Sequence, residues 1–291
     1  YLGRYNSYST ACIAQATELM YGTGESGNSP EDWLNSHLIL LWGHNPAETR
    51  FDSVSMHYLR RAREKGIPMI VIDPRRSDTV DALGAEWVPI RPATDAALLD
   101  AMAYVIWSEG LHDQAFLDRC CLGFDKANMP AGADPRDCVL SYLTGEADGV
   151  VKTPEWAQEI TGVPACTIRS LARRYANAVL MQGYGPQRHA YGEQSARGAI
   201  LLACMTGNVG ISGGWAGGVG RCHRHQEPKL PKIENPYPRA IPAYCWTQAV
   251  ERGHEMTAVD GVQGGERLES DIKMILNLAG NCLVNQHGDI N

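Results

Sequence analysis

"HLILLWGHNPAETR", residues His37 to Arg50, is the stretch whose reading decides the fold. Leu38 to Trp42 form an unbroken apolar run that leads straight into Gly43, His44, Asn45 and Pro46. A short continuous run of this kind reads as a strand buried on both faces, as parallel sheets require, with the polar cluster at its carboxyl end. The pattern returns in "PMIVIDPRRSDT" (Pro68 to Thr79), and between the two lies "DSVSMHYLRRAREKG". There Val54, Tyr58, Leu59 and Ala62 recur at helical spacing, and Gly66 supplies a C-terminal stop. Strand, helix and strand over about 35 residues make a βαβ unit with a right-handed crossover.

Working outward, "AEWVPIRP" (Ala85 to Pro92) reads as a third short strand. Thr94 or Asp95 then caps a helix running to about Ser108. A mainly helical middle follows. "TPEWAQEITG" sets Thr153 before Pro154 at the first helical position and stops at Gly162, and "VPACTIRSLARRYA" repeats the logic from Pro164. "AVLMQGYGPQRH" is another apolar strand, breaking into Gly183, Gly185 and Pro186. "GEQSARGAILLACMTGNVG" is a helix with its stop at Gly207. From Ile211 to about Tyr244 the Gly- and Pro-rich sequence is an irregular excursion, and "DIKMILNLAGNCLVNQHGDIN" closes with a last buried strand.

The fold class is therefore α/β, with Rossmann-like parallel sheets and flanking helices. Three regions are expected: an N-terminal segment over 1–30, an α/β domain over 31–215, and over 216–291 the excursion and a return to a second, incomplete α/β domain. Four strands end alike, at Gly43-His44-Asn45-Pro46, Asp73-Pro74-Arg75, Gly183-Tyr184-Gly185-Pro186 and Gly280-Asn281. In open parallel sheets ligands bind outside the carboxyl ends of the strands. Glycines let backbone approach the ligand, helix N-termini offer N–H groups to phosphate, and an Asp at a strand end accepts ribose hydroxyls. Asp95 adds a carboxylate that could take two hydrogen bonds from a guanine edge. Each motif alone is an ordinary loop; together they favour a nucleotide-like ligand.

Composition narrows the classes further. Hydrophobic content of 44% and charged content of 20% are those of a globular protein. A net charge of −7 argues against a nucleic-acid-binding surface. No stretch approaches the roughly 18 apolar residues of a membrane span, so no direct membrane insertion is expected. The nine cysteines include no C-x-x-C pair, which fits neither a disulfide framework nor a zinc or iron–sulfur site. "RCHRH" (Cys222, His223, His225) has no complementary ligand cluster in sequence. The chain opens at Tyr1 and stops at "HGDIN", and reads as an internal piece of a longer protein.

Familiar fingerprints mostly fail. There is no G-x-x-x-x-G-K-[ST] loop. "GYGPQR" begins like a dinucleotide motif, but Arg188 stands where its third glycine belongs. "GISGG" around Ser212 matches a hydrolase nucleophile elbow, yet follows a helix where the elbow needs a strand.

Other residues carry a more specific likeness. "LWGHNPAETR", "VIDPRRSDTVDALGAEWVPIRPATDAAL", "GYGPQRHAYGEQSARGAILLACMTGNVGISGG" and "LAGNCLVNQHGDIN" resemble, in the right order, the molybdopterin oxidoreductases of the dimethyl sulfoxide reductase family. They are most similar to the catalytic chains of its anaerobic members, with the poorest match from about Arg221 to Ala243. The resemblance implies molybdenum held between two molybdopterin guanine dinucleotides, and reduction of an oxo-compound by oxygen-atom transfer. It implies that Gly43, Asn45, Pro46 and Glu48 line the cofactor, and that Asp73, Arg75 and Asp95 hold its guanosine end. Gly185, Gln187, Arg188, Asn281, His287 and Asp289 match further cofactor-contacting segments.

"YLGRYNSYSTACIA" is similar to the segment that supplies the family's protein ligand to molybdenum, and the match falls on Ser9. A deprotonated serine oxygen is a hard ligand suited to a high-valent metal. Ser7, Thr10 and Cys12 stand near enough to take the role under a shifted alignment. Arg188 and His189 could face the substrate, where a cation would polarise an S=O or N=O oxygen; a phosphate-positioning arginine is the other reading. Tyr8 is a further candidate donor. The acceptor could equally be selenate, trimethylamine N-oxide or tetrathionate, and by itself the chain could be a nucleotide-binding module without catalysis. The resemblance further implies a [4Fe-4S] cluster in an N-terminal domain, an iron–sulfur electron-transfer subunit, a membrane anchor subunit, and periplasmic placement in anaerobic respiration.

Overall fold

The structure is a computed structural model. It describes residues 1–6, 9–24, 26–49, 54–175, 178–215, 217 and 234–276. In chain order the elements begin with strand β1 (Gly3–Tyr5), helix α1 (Ala11–Tyr21), β2 (Leu38–Trp42), α2 (Val54–Glu64) and β3 (Met69–Ile72). Next come α3 (Asp78–Leu83), β4 (Glu86–Val88), α4 (Asp95–Ser108), α5 (Gln114–Cys120) and α6 (Val139–Leu143). The order closes with α7 (Pro154–Thr161), α8 (Ala165–Arg174), β5 (Ala178–Gln182), α9 (Glu193–Met205), β6 (Ala240–Pro242) and α10 (Trp246–Arg252).

The chain divides into two compact units, Cys12–Arg224 and a second made of Tyr1–Ala11 with His225–Asn291. This division differs from the three regions read from sequence. The first eleven residues go with the C-terminal part because β1 pairs in parallel with β6, Gly3 opposite Ala240 and Tyr5 opposite Pro242.

In the larger unit four parallel strands stand in the order β4-β3-β2-β5. Trp42 lies opposite Ile72 on one side and Gln182 on the other. Every residue of β2, β3 and β5 is buried, as expected for strands covered on both faces. Alternate residues feed two cores. Leu38, Leu40, Trp42, Ile70, Ile72 and Leu180 pack with the α4, α7, α8 and α9 layer. Ile39, Leu41, Val71, Val179 and Met181 pack with Leu59 and Ala62 of α2 and with Val80 and Leu83 of α3. The period of two explains why an apolar run without alternation was needed: each residue meets a core whichever way it points.

The caps follow local chemistry. Thr153 accepts the Trp156 amide at 3.2 Å, Pro154 opens α7, and Gly162 ends it at φ 74°. Thr94 stands at the cap position of α4 but makes no side-chain cap bond there; its hydroxyl donates to the Arg91 carbonyl at 2.7 Å. Helix α3 falls at the end of what sequence reads as one strand signal. The Asp73 amide still donates to the Val88 carbonyl at 3.2 Å, Pro74 has no N–H to continue the ladder, and Ser77 starts a new helix.

The expected closing strand is not found over Asp271–Leu276, the part of it that is described. Met274, Ile275 and Leu276 are exposed there rather than buried. An all-apolar strand needs neighbours on both edges and cover on both faces, and the smaller unit has only the two-stranded β1-β6 sheet among its described residues. The remainder of that stretch, with Gly280 and Asn281, lies outside the described residues, as does "RCHRH".

Candidate nucleotide-cofactor site

Strand order reverses between β2 and β5: from β2 the chain steps to β3 and β4 on one side, then returns to place β5 on the other. A crevice outside the carboxyl ends at such a reversal is where open parallel sheets take ligands. The two strand-end loops that flank it carry Gly43 and Gly183. Gly43 adopts φ 55°, and its amide donates to the Ile72 carbonyl at 2.8 Å. A Cβ on Gly43 would lie 2.6 Å from the Pro186 ring, and one on Gly183 would collide with the Gly43 carbonyl. The loops therefore meet backbone to backbone, which only glycine permits.

On the α2/α3 side the strand ends are tied by polar side chains. Asn45 donates from Nδ2 to Asp73 Oδ2 at 2.7 Å and accepts from the Ser77 hydroxyl. Asp73 is buried, and its Oδ1 accepts the Arg75 amide at 2.9 Å. Glu48 takes both terminal nitrogens of Arg75 and the Asp78 amide, at 2.8 Å for the last. Those hydrogen bonds, Arg75 first, hold its carboxyl below the usual glutamate range. Pro46 is buried and Arg75 exposed. Both Asp73 oxygens thus already accept one protein N–H each, and Arg75 would have to share its guanidinium between Glu48 and any phosphate.

On the α4/α9 side Asp95, the first residue of α4, is buried, and its Oδ1 accepts the Trp42 indole N–H at 2.7 Å. Burial pushes the Asp95 carboxyl up, against the Trp42 hydrogen bond. Beyond β5, Gly185–Gln187 form one turn of 3-10 helix. Gln187 is buried; its Oε1 accepts the Cys12 amide of α1 at 3.1 Å and its Nε2 donates to the Tyr184 carbonyl at 3.1 Å. Arg188 is exposed with its guanidinium 5.8 Å from the Tyr184 ring centre.

Three buried polar atoms here have no hydrogen-bond partner: Gln182 Oε1, Ser195 Oγ and His189 Nε2. Each such atom costs about 1–3 kcal/mol if left dry. Gln182 ends β5, His189 follows it and Ser195 lies in the first turn of α9. A polar ligand seated in the crevice would satisfy them. Carboxylates for hydroxyl and base N–H donors, arginines for phosphate, close-packed glycines and orphaned acceptors form a donor set that fits a nucleotide-bearing cofactor.

Gly43, Asn45, Pro46, Glu48, Asp73, Arg75, Asp95, Gly185, Gln187 and Arg188 therefore all fall on strand ends or helix starts at one edge of the larger unit's sheet. Ser9 belongs to the other unit, half-buried in a turn just before α1. Tyr8, Asn281, His287 and Asp289 lie outside the described residues. Sequence reasoning passed over Trp42, Ser77, Gln182 and Ser195. Gln182 carried a usable signal, being a polar residue closing an apolar strand. Ser212 has a structural task instead: its hydroxyl donates to Asp32 Oδ1 at 2.6 Å, and Asp32 Oδ2 also takes the Gly213 amide.

Comparison with known proteins bears on the same residues. The family model described as molybdopterin oxidoreductase matches residues 1–291. Dimethyl sulfoxide reductase DmsA of Escherichia coli (strain K12) is 49% identical over 298 aligned residues, covering all of this chain and 37% of that protein. A dimethyl sulfoxide/trimethylamine N-oxide reductase of Cereibacter sphaeroides is 35% identical over 79% of this chain and 28% of its own length. Among solved structures, acetylene hydratase from Pelobacter acetylenicus superposes with a TM-score of 0.54 at 25% identity, over 70% of this chain and 25% of that one. The chain thus matches 37% of the length of the first of these reductases and 28% of the second.

Proposed function

The chain belongs to the molybdopterin oxidoreductase family, and from that premise we propose that it is part of a molybdenum enzyme that reduces dimethyl sulfoxide or a related S- or N-oxide. The observation that carries the substrate class is the 49% identity, over the whole chain, to a protein named for dimethyl sulfoxide. A relative at 35% adds an N-oxide to its name, so the shared chemistry is a polar X=O bond. Fold alone does not decide it, since the structural neighbour is named for a hydration.

Family membership implies a molybdenum–molybdopterin cofactor; its finer form in this reading is two molybdopterin guanine dinucleotides. When bound, that group supplies two-electron oxygen-atom transfer. This chain's own residues bind and orient. Gly43, Asn45, Pro46, Gly185 and Gln187 line the crevice, Asp73 and Asp95 accept the donors of a guanosine end, and Arg75 faces phosphate. Asn281, His287 and Asp289 add contacts, and Ser9 supplies a protein oxygen to the metal. Arg188 or Tyr8 donates to the substrate oxygen as negative charge builds there. The complete enzyme, in this reading, works in periplasmic anaerobic respiration, takes electrons from an iron–sulfur subunit on a membrane anchor, and holds its own [4Fe-4S] cluster outside this stretch. The stretch alone is expected to be inactive.

The test is anaerobic oxidation of a reduced viologen dye by the complete protein, with dimethyl sulfoxide, trimethylamine N-oxide, selenate and tetrathionate compared. Fast turnover of dimethyl sulfoxide is expected. Activity confined to selenate or tetrathionate would discard the substrate while keeping the cofactor.

A further inference from the structure

Trp42 ends β2 and lies opposite Gln182 in the β2-β5 register, so the two side chains point to the same face. That face carries α4 and α9, and Trp42 is fully buried against it. Its indole N–H nevertheless ends on a carboxylate, Asp95 Oδ1, at 2.7 Å. An ionised carboxylate offers about four acceptor positions, and one is now taken by a rigid ring held in the core. That bond directs Oδ1 toward the indole, with the other oxygen and the remaining lone pairs left to accept.

Two of the three neighbouring orphaned groups are acceptors as well, and the third, the Ser195 hydroxyl, can accept or donate. Gln182 anchors its Nε2 on the Ser195 carbonyl at 2.8 Å, which commits its amide orientation and leaves Oε1 as an unpartnered acceptor. His189 Nδ1 lies 2.7 Å from the Ala190 carbonyl, which makes Nδ1 the protonated nitrogen and leaves buried Nε2 as an acceptor. Acceptors thus dominate the set: the Asp95 carboxylate, Gln182 Oε1 and His189 Nε2. A purine edge presenting adjacent N–H donors matches it, whereas adenine, with a ring acceptor beside its single amino donor, would set lone pair against lone pair.

We infer that Trp42 is a positioning residue that orients the Asp95 carboxylate for a guanine edge, so that this hydrogen bond sets the base preference of the site. The inference rests on the reading of Asp95 as base-binding. It gives Trp42 a role in the ionisation of Asp95 as well as in its direction. Burial raises the Asp95 carboxyl, the Trp42 hydrogen bond and its own amide lower it, and the Asp73 carboxylate raises it again. Without the indole N–H, Asp95 would hold its proton to higher pH, and a protonated acid cannot accept two N–H donors.

The experiment uses the complete protein produced without cofactor, and titrates guanosine, inosine and adenosine 5′-monophosphates by calorimetry across pH. Inosine lacks the 2-amino donor and so tests the two-donor match. Trp42→Phe is expected to weaken the guanine nucleotide about tenfold, the scale of one buried charge-assisted hydrogen bond. Weak adenine binding should be unchanged, and the pH below which guanine binding fails should rise. If Trp42→Phe perturbs folding, 3-benzothienylalanine at position 42 keeps the ring shape without the donor and must show the same two effects. Asp95→Asn separates the premise from the inference. Loss of guanine preference in Asp95→Asn, with unchanged affinity and pH midpoint at both altered position-42 side chains, would overturn the role of Trp42 alone. Unchanged guanine preference in Asp95→Asn would overturn the base-binding reading and the inference with it.

Discussion

Asp100 on α4 is a half-buried acid whose charge the fold disfavours, and replacing it with asparagine should flatten part of the pH dependence of stability. Burial pushes its carboxyl up from 3.8 to about 6, against a hydrogen bond from the Tyr142 hydroxyl at 3.0 Å and the positive charges of Lys152 and Arg197. The folded protein therefore holds this proton more tightly than the unfolded chain. The stability it confers is full below about pH 4 and is lost as pH rises through about 6. A shift of about two units at 1.36 kcal/mol each is an upper bound of ~3 kcal/mol, and residual solvent contact reduces it toward ~1–2 kcal/mol. Asp100→Asn keeps the volume and an acceptor for Tyr142 but cannot titrate. Native-state hydrogen exchange of the α4 core amides in the complete protein, at pH 4.5 and 7, reads the opening free energy directly. Wild type should lose about 1 kcal/mol, and no more than ~2 kcal/mol, relative to the variant between those pH values. Parallel profiles for the two proteins would refute the assignment of a raised carboxyl to Asp100.

Three further outcomes follow from single contacts. Gly183→Ala places a methyl group on the Gly43 carbonyl, so the loops must part; molybdenum content should fall sharply while far-UV circular dichroism stays native. Thr153→Ala removes the cap of α7 and should cost about 1 kcal/mol by urea titration, with turnover unchanged. Ser9→Ala in the complete enzyme should abolish turnover and alter the molybdenum(V) resonance while protein yield is kept; full activity with the native signal would remove Ser9 from the metal.

Much of the sheet could be read from residues 37–50 and 68–79 because a strand buried on both faces leaves a signal no other short element leaves. The βαβ order, the stops at Gly66, Gly162 and Gly207, and the capping Thr153 were all local, and local chemistry writes them into adjacent residues. Helix α3 was hidden because its six residues are too few to show a period. The exposed run Met274–Leu276 misled for the opposite reason: an apolar string says that a residue can be buried, not that this unit supplies the cover. Trp42 reaching Asp95 across 53 positions is a tertiary fact, invisible to spacing. The orphaned acceptors Gln182, Ser195 and His189 could be recognised only after the fold had closed around them.

A guanine-bearing molybdenum cofactor held at the reversal point of the sheet is the proposal from which the other roles follow. The most direct measurement is metal analysis of the purified complete protein together with the guanosine monophosphate it releases on acid hydrolysis. Molybdenum accompanied by two guanine nucleotides per metal atom is the expected result, with both lost together in Gly183→Ala. Natively folded protein that carries neither, or molybdenum without any guanine nucleotide, would contradict it.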